Sequence, residues 1–111
     1  MIVRIYTGDD GQSHFEDLDA PKEPVQRIAT KPGEDLVFRT SVENSFSDWH
    51  NPSRRQYLFV IDGQMEVSVN DGASRLFRPG DVLLAEDMTG QGHVTKSVGG
   101  AYTSVSMGLP D

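Results

Sequence analysis

With 111 residues, no cysteine and a formal charge of −7, the chain has room for one domain with a modest core. The missing thiols exclude disulfides, zinc ribbons and thiol nucleophiles, and an acidic surface without a basic stripe speaks against nucleic acid and anionic membranes as partners. No apolar run approaches the roughly 20 residues of a bilayer span, and the opening Met1-Ile2-Val3-Arg4-Ile5-Tyr6 lacks the layout of an export signal, so a soluble cytoplasmic protein is expected.

Glycine and proline, 11 and 6 in number, break the chain into short runs rich in branched and aromatic residues. In chain order the runs 2–6, 25–30, 35–40, 57–62, 64–70, 74–78, 81–86, 92–98 and 101–107 are predicted strands. Met65, Val67 and Val69 alternate with Glu66, Ser68 and Asn70, the period of a strand with one wet face. Asn70-Asp71-Gly72 supplies residues that tolerate positive φ, so 64–70 and 74–78 are expected to form a hairpin. Segments 7–24 and 41–53 read as the least regular, and such segments in a small domain tend to carry function. No window sustains helical periodicity, so an all-β domain spanning 1–111 is expected.

The runs Tyr57-Leu58-Phe59-Val60-Ile61 and Val82-Leu83-Leu84-Ala85 are apolar on both faces and need cover on both. One face is the barrel interior, and the other needs a second sheet, the N-terminal segment or a partner subunit; a homodimer is the favoured expectation, because a chain this short has a limited core of its own.

Chemistry concentrates in two stretches. The first runs Trp49-His50-Asn51-Pro52-Ser53-Arg54-Arg55-Gln56 and on to Gly63; the second runs from Pro79-Gly80-Asp81 to Gly90-Gln91-Gly92-His93. Together they resemble the two motifs of the cupin superfamily, small double-stranded β-helix (jelly-roll) proteins. His50 stands where the first motif has its first histidine, and Gln56, six residues short of Gly63, stands where it has glutamate. Pro79-Gly80-Asp81 opens the second motif, and Gly90 with His93 closes it. The departures are Pro52 for the second histidine, Gln56 for the glutamate, Asn44 for the leading glycine, Ser97 for the trailing asparagine and Glu86 for the internal proline. The resemblance covers roughly half the chain, 44–97, and implies a barrel pocket for a small-molecule ligand. It further implies that His50, Gln56 and His93 hold a divalent metal such as Fe, Mn, Ni, Cu or Zn.

Two imidazoles and an amide oxygen are neutral donors, so they cancel none of a metal's charge, and weaker binding than by a full three-histidine, one-glutamate set follows. His14 is a candidate third imidazole if the N-terminal segment folds over the mouth, and Glu86 or Asp87 a candidate carboxylate. Trp49 is a candidate pocket wall, and Arg54, Arg55 and Tyr57 are candidate ligand contacts. If 54–60 is regular, Arg54 and Gln56 share one face, while Arg55 and Tyr57 point the other way. Without metal, His50 or His93 could act as a base in proton transfer. The plain alternative for Arg54 and Arg55 is pairing with the many acids. Three functions therefore stay open: a metal-dependent oxygenase, lyase or isomerase acting on a small polar metabolite, a metal-free cupin, and a non-catalytic binding module. Gly90-Gln91-Gly92 is no dinucleotide fingerprint, since no helix pattern follows, and neither a P-loop nor a nucleophile elbow occurs.

Overall fold

Alternation of branched or aromatic residues with polar ones builds the sheets. The computed structural model describes residues 1–111 as ten strands with no helix: β1 (Ile2–Thr7), β2 (Ser13–Leu18), β3 (Leu36–Ser41), β4 (Phe46–His50), β5 (Gln56–Asp62), β6 (Met65–Ser68), β7 (Ser74–Phe77), β8 (Val82–Glu86), β9 (His93–Ser97) and β10 (Tyr102–Gly108). A six-stranded sheet has the order β2-β1-β8-β5-β10-β3, and a four-stranded sheet the order β4-β9-β6-β7. The β1–β8 pair is parallel and the other pairs are antiparallel. Val3, Ile5, Val60, Leu83, Ala85 and Tyr102 of the larger sheet meet Met65, Val67 and Phe77 of the smaller in one buried cluster. Removing these side chains from water is the main force holding the two sheets together.

The 64–70/74–78 hairpin forms as β6 and β7, joined by a loop in which Gly72 alone takes positive φ (88°). Val69 N–H donates to the Ala73 carbonyl and Gly72 N–H to that of Val69, a turn closed by a left-handed glycine.

Three expectations change. Residues 25–30 form no strand and are exposed; Pro21, Pro24 and Pro32 flank them, and proline removes ladder donors. The segment instead passes over the outer face of the large sheet, where Gln26 and Ile28 share a shallow cavity with Ile2, Tyr57, Phe59 and Val82. The other two changes are the segments read as irregular: 7–24 contains β2 and 41–53 contains β4. On β2 Phe15 is the single inward apolar residue, between Ser13 and Asp17, and β4 pairs through Phe46, Ser47 and His50, so too little apolar alternation marks them.

The two-faced apolar runs behave as their composition requires. Leu58 and Val60 point inward from β5, while Tyr57, Phe59 and Ile61 face out. Across β10, Phe59 aligns with Val105 and Val105 with Phe38; Tyr57 aligns with Met107 and Met107 with Leu36. The result is an apolar stripe across three strands on which Phe38 is 66% exposed and Ile61 50% exposed. No helix is long and apolar enough to cross a membrane.

Glu86 also points out of β8, and it bonds two guanidinium groups. Arg4 Nε donates to its Oε1 at 2.7 Å, and Arg55 Nε donates to its Oε2. Burial works to raise this carboxyl, but the hydrogen bonds from Arg55 and Arg4 outweigh it, so Glu86 titrates below its ordinary 4.5. A carboxyl held low stabilises the fold above its unfolded value and loses that contribution as pH falls through the folded one. Glu86→Gln is therefore expected to cost about 1 kcal/mol at neutral pH, with the difference shrinking as pH drops below that ordinary value. Urea midpoints of both proteins, measured from neutral pH into the acid range, check this. A gap that persisted in acid would contradict it.

Candidate functional site

The site is built where β4 ends and β9 begins. His50 and His93 are register partners across these antiparallel strands. Gly92 makes the approach possible: its φ is +78°, and a Cβ there would lie 2.0 Å from the His50 carbonyl oxygen. The two imidazoles consequently lie 4.6 Å apart, centroid to centroid, at 62°.

Each ring is oriented by its Nδ1. His50 Nδ1 donates to the Asp48 carbonyl at 2.7 Å, and His93 Nδ1 to Asp87 Oδ2 at 2.6 Å. Both neighbours are acceptors, which assigns the proton to Nδ1 and leaves the Nε2 lone pairs free. Asp87 Oδ2 also accepts from Ser13 Oγ at 2.6 Å, so β2 helps hold the dyad. Asp87 is wholly buried, and its second oxygen has no hydrogen-bond partner in the chain. A buried carboxyl left half-satisfied is costly, and such cost is tolerated where a group orients functional chemistry.

His50 and His93 line a cavity of about 190 Å³ together with Gln56. Its floor is apolar, from Leu58, Met65, Leu83 and Ala85, and no acidic side chain lines it. A second cavity of about 260 Å³ adjoins it, sharing Arg39, Gln56, Leu58 and Ser104 and adding Glu34 and Arg54. Arg54 Nε donates to Gln56 Oε1 at 3.2 Å, while its terminal nitrogen pairs with Glu34. Gln56 is thus held between a guanidinium and the histidine-lined cavity. No group of three or more His, Cys, Asp or Glu side chains is placed to hold a metal ion.

The three residues aligned with the ligand positions, His50, Gln56 and His93, meet in one cavity, and Arg54 lies beside it. The other candidates do not reach it. His14 turns to Asp10 at 3.0 Å and lies against Tyr6, so it supplies no third imidazole. Trp49 is 41% exposed and walls no cavity. Tyr57 faces the outer cavity, because it is one residue out of phase with the inward Gln56 and Leu58. Glu86 is engaged by Arg4 and Arg55 on the outer face, so it supplies no carboxylate to the pocket, and Arg55 is a surface partner of an acid and no ligand contact. Sequence reasoning missed Arg39 and Ser104. Their signal is inverted alternation: β10 turns Ser104 and Ser106 inward, while Val105 and Met107 face out.

No family model matches the chain, and no curated protein matches it. Among solved structures, the chain is similar to protein NMB1881 from Neisseria meningitidis, with 23% sequence identity over 82% of this chain and 90% of that one and a TM-score of 0.53. At that identity the likeness concerns the fold alone.

Proposed function

We propose that the chain is a cupin-type double-stranded β-helix whose pocket holds a divalent metal through Nε2 of His50 and His93, with the Gln56 amide as a weak third donor. The pocket then binds or acts on a small polar metabolite. The observation that carries this reading is the pair of cavity-lining imidazoles, each fixed through Nδ1 by a second group, the arrangement that metal-ligating histidines adopt. The donor set fits a loosely held ion: two imidazoles, no carboxylate, and an amide oxygen that already accepts from Arg54. A bound ion would supply Lewis-acid polarisation of a substrate oxygen. The chain itself orients His93 through Asp87, keeps Gln56 aligned through Arg54, and offers an apolar floor that limits water.

A second reading rests on that same amide and on the absence of a third imidazole or carboxyl group. Without metal, His93 Nε2 accepts a proton from the ligand, and Asp87 stabilises the imidazolium that forms. Elemental analysis by plasma mass spectrometry, on protein purified without a His tag or chelator, separates the two. Near-stoichiometric Fe, Mn, Ni, Cu or Zn in the native protein, lost in His50→Ala, supports the metal reading. Protein that is empty and takes up no added metal rejects it and leaves the proton-transfer reading.

We further propose that the molecule is a homodimer covered along the Phe38–Val105–Phe59 stripe. Twelve hydrophobic residues are buried, and eleven large ones are exposed, so the chain leaves nearly as many in water as it hides. Light scattering coupled to size exclusion is expected to give twice the 12.2 kDa chain mass. Phe38→Asp, which places a charge in the stripe, is expected to give the monomer. A monomeric native protein at micromolar concentration would reject the dimer.

A further inference from the structure

We infer that Arg39 anchors a carboxylate group on the molecule that occupies the histidine-lined cavity, which makes that ligand a small organic acid. This rests on the pocket reading above and narrows it to a chemical class. Four cationic side chains line cavities of the protein: Lys31, Arg39, Arg54 and Lys96. Lys31 pairs with Glu34 and Asp111, Arg54 with Glu34, and Lys96 with Glu66. Arg39 alone among them has no carboxylate partner, in a chain where Asp and Glu outnumber Lys and Arg by 17 to 10. Arg27 and Arg78 also lack a carboxylate partner but line no cavity, so Arg39 is the one unpaired guanidinium on a cavity wall, where it is placed for something outside the chain.

Its surroundings fit an oxyanion. Arg39 lies on the inward face of β3 and lines both adjoining cavities, between Val37 and Ser41, which also face in. Its register partner on β10 is Ser104, which lines both cavities too and is only 5% exposed. The Ser104 hydroxyl has no hydrogen-bond partner within the chain. A forked guanidinium beside a free hydroxyl is a donor set for a carboxylate, with charge-assisted bonds from the one and a neutral bond from the other. The cavity has no acidic side chain to oppose an anion. At about 190 Å³ it is smaller than the ~300–1,000 Å³ of pockets for drug-sized ligands, so the acid has few carbons. With its carboxylate at Arg39, the remainder of the molecule extends over the apolar floor toward the Nε2 atoms of His50 and His93. Arg54, which shares the inward face with Gln56, is excluded from the role because Glu34 neutralises it.

The test uses pyruvate and its neutral amide, titrated into the full-length ¹⁵N-labelled protein and followed at the backbone amides of Ser104 and His93. Metal is first removed with 1,10-phenanthroline, a neutral chelator that does not compete as a carboxylate, followed by desalting. Pyruvate is expected to bind about tenfold or more tightly than the amide. In Arg39→Gln the two affinities are expected to converge, and Arg39→Lys is expected to keep part of the preference. Equal affinities in the native protein, a preference that survives in Arg39→Gln, or no response to pyruvate at tens of millimolar would each overturn the assignment. Because the titration is run without metal, an absence of metal uptake rejects only the metal reading and leaves this result intact.

Discussion

His93→Ala is expected to destabilise the protein by about 3–5 kcal/mol, and His50→Ala by about 1 kcal/mol or less. The two histidines are register partners across β4 and β9, yet their Nδ1 partners differ in kind. His50 donates to a backbone carbonyl at an exposed strand end, and water replaces that bond when the ring is removed. His93 is 4% exposed and donates to Asp87, which is wholly buried. Without the ring, Asp87 keeps only Ser13, while its other oxygen is already without a partner. Removing one member of such a pair leaves an uncompensated buried polar group, the most damaging kind of surface-neutral change. Burial of Asp87 is what separates the two substitutions. His93→Asn is expected to recover more than half of the loss, because its amide N–H can still donate to Asp87, while it removes the Nε2 donor. Urea unfolding of the three variants, with m unchanged, provides the measurement. Similar losses in His50→Ala and His93→Ala would mean that Asp87 does not depend on His93.

The same contrast explains what the sequence makes legible. Alternation and punctuation predict nine strand runs and eight form; in β1, β5, β6, β7 and β8 inward apolar residues such as Met65 and Val67 sit in the core, whereas β3 and β10 carry much of their apolar alternation on the outer face. Strands β2 and β4 are nearly invisible to that signal, because β2 sets Phe15 alone between Ser13 and Asp17 and β4 pairs through Ser47 and His50. The run 25–30 is its converse, apolar enough to suggest a strand but hemmed by prolines and laid across the outside. Of the site, His50, Gln56 and His93 are legible from spacing. The strand parity that aligns Arg54 with Gln56 and turns Tyr57 away is legible as well. What spacing cannot carry is partnership across the fold. Asp87 to Ser13 spans 74 positions, and Arg39 to Ser104 joins β3 to β10, the third strand to the last. Which arginine is neutralised depends on where Glu34 lands, and no local pattern determines that.

Gly92→Ala is expected to cost about 3 kcal/mol or more and to separate the two histidines, whereas Gly99→Ala costs about 1 kcal/mol. The pair isolates two effects that usually arrive together. Both glycines have left-handed backbones, φ +78° at Gly92 and +75° at Gly99, so an alanine bears the same conformational penalty at each. Around Gly99 a new Cβ meets nothing within 4 Å, and only that penalty remains. At Gly92 the Cβ would come 2.0 Å from the His50 carbonyl oxygen and 2.4 Å from its carbon. Those are backbone atoms of the facing strand, so the clash is relieved only if β4 and β9 move apart. That movement pulls at the His50–His93 register, and with it the 4.6 Å spacing of the rings. On the proposed metal reading, metal content and thermal unfolding of the two variants should therefore diverge: both fall in Gly92→Ala, and Gly99→Ala keeps the metal content of the native protein with a small loss of stability. If the two alanines proved equivalent, close approach at Gly92 would not be what sets the site, and the histidine pair would have to be held by Asp48 and Asp87 alone.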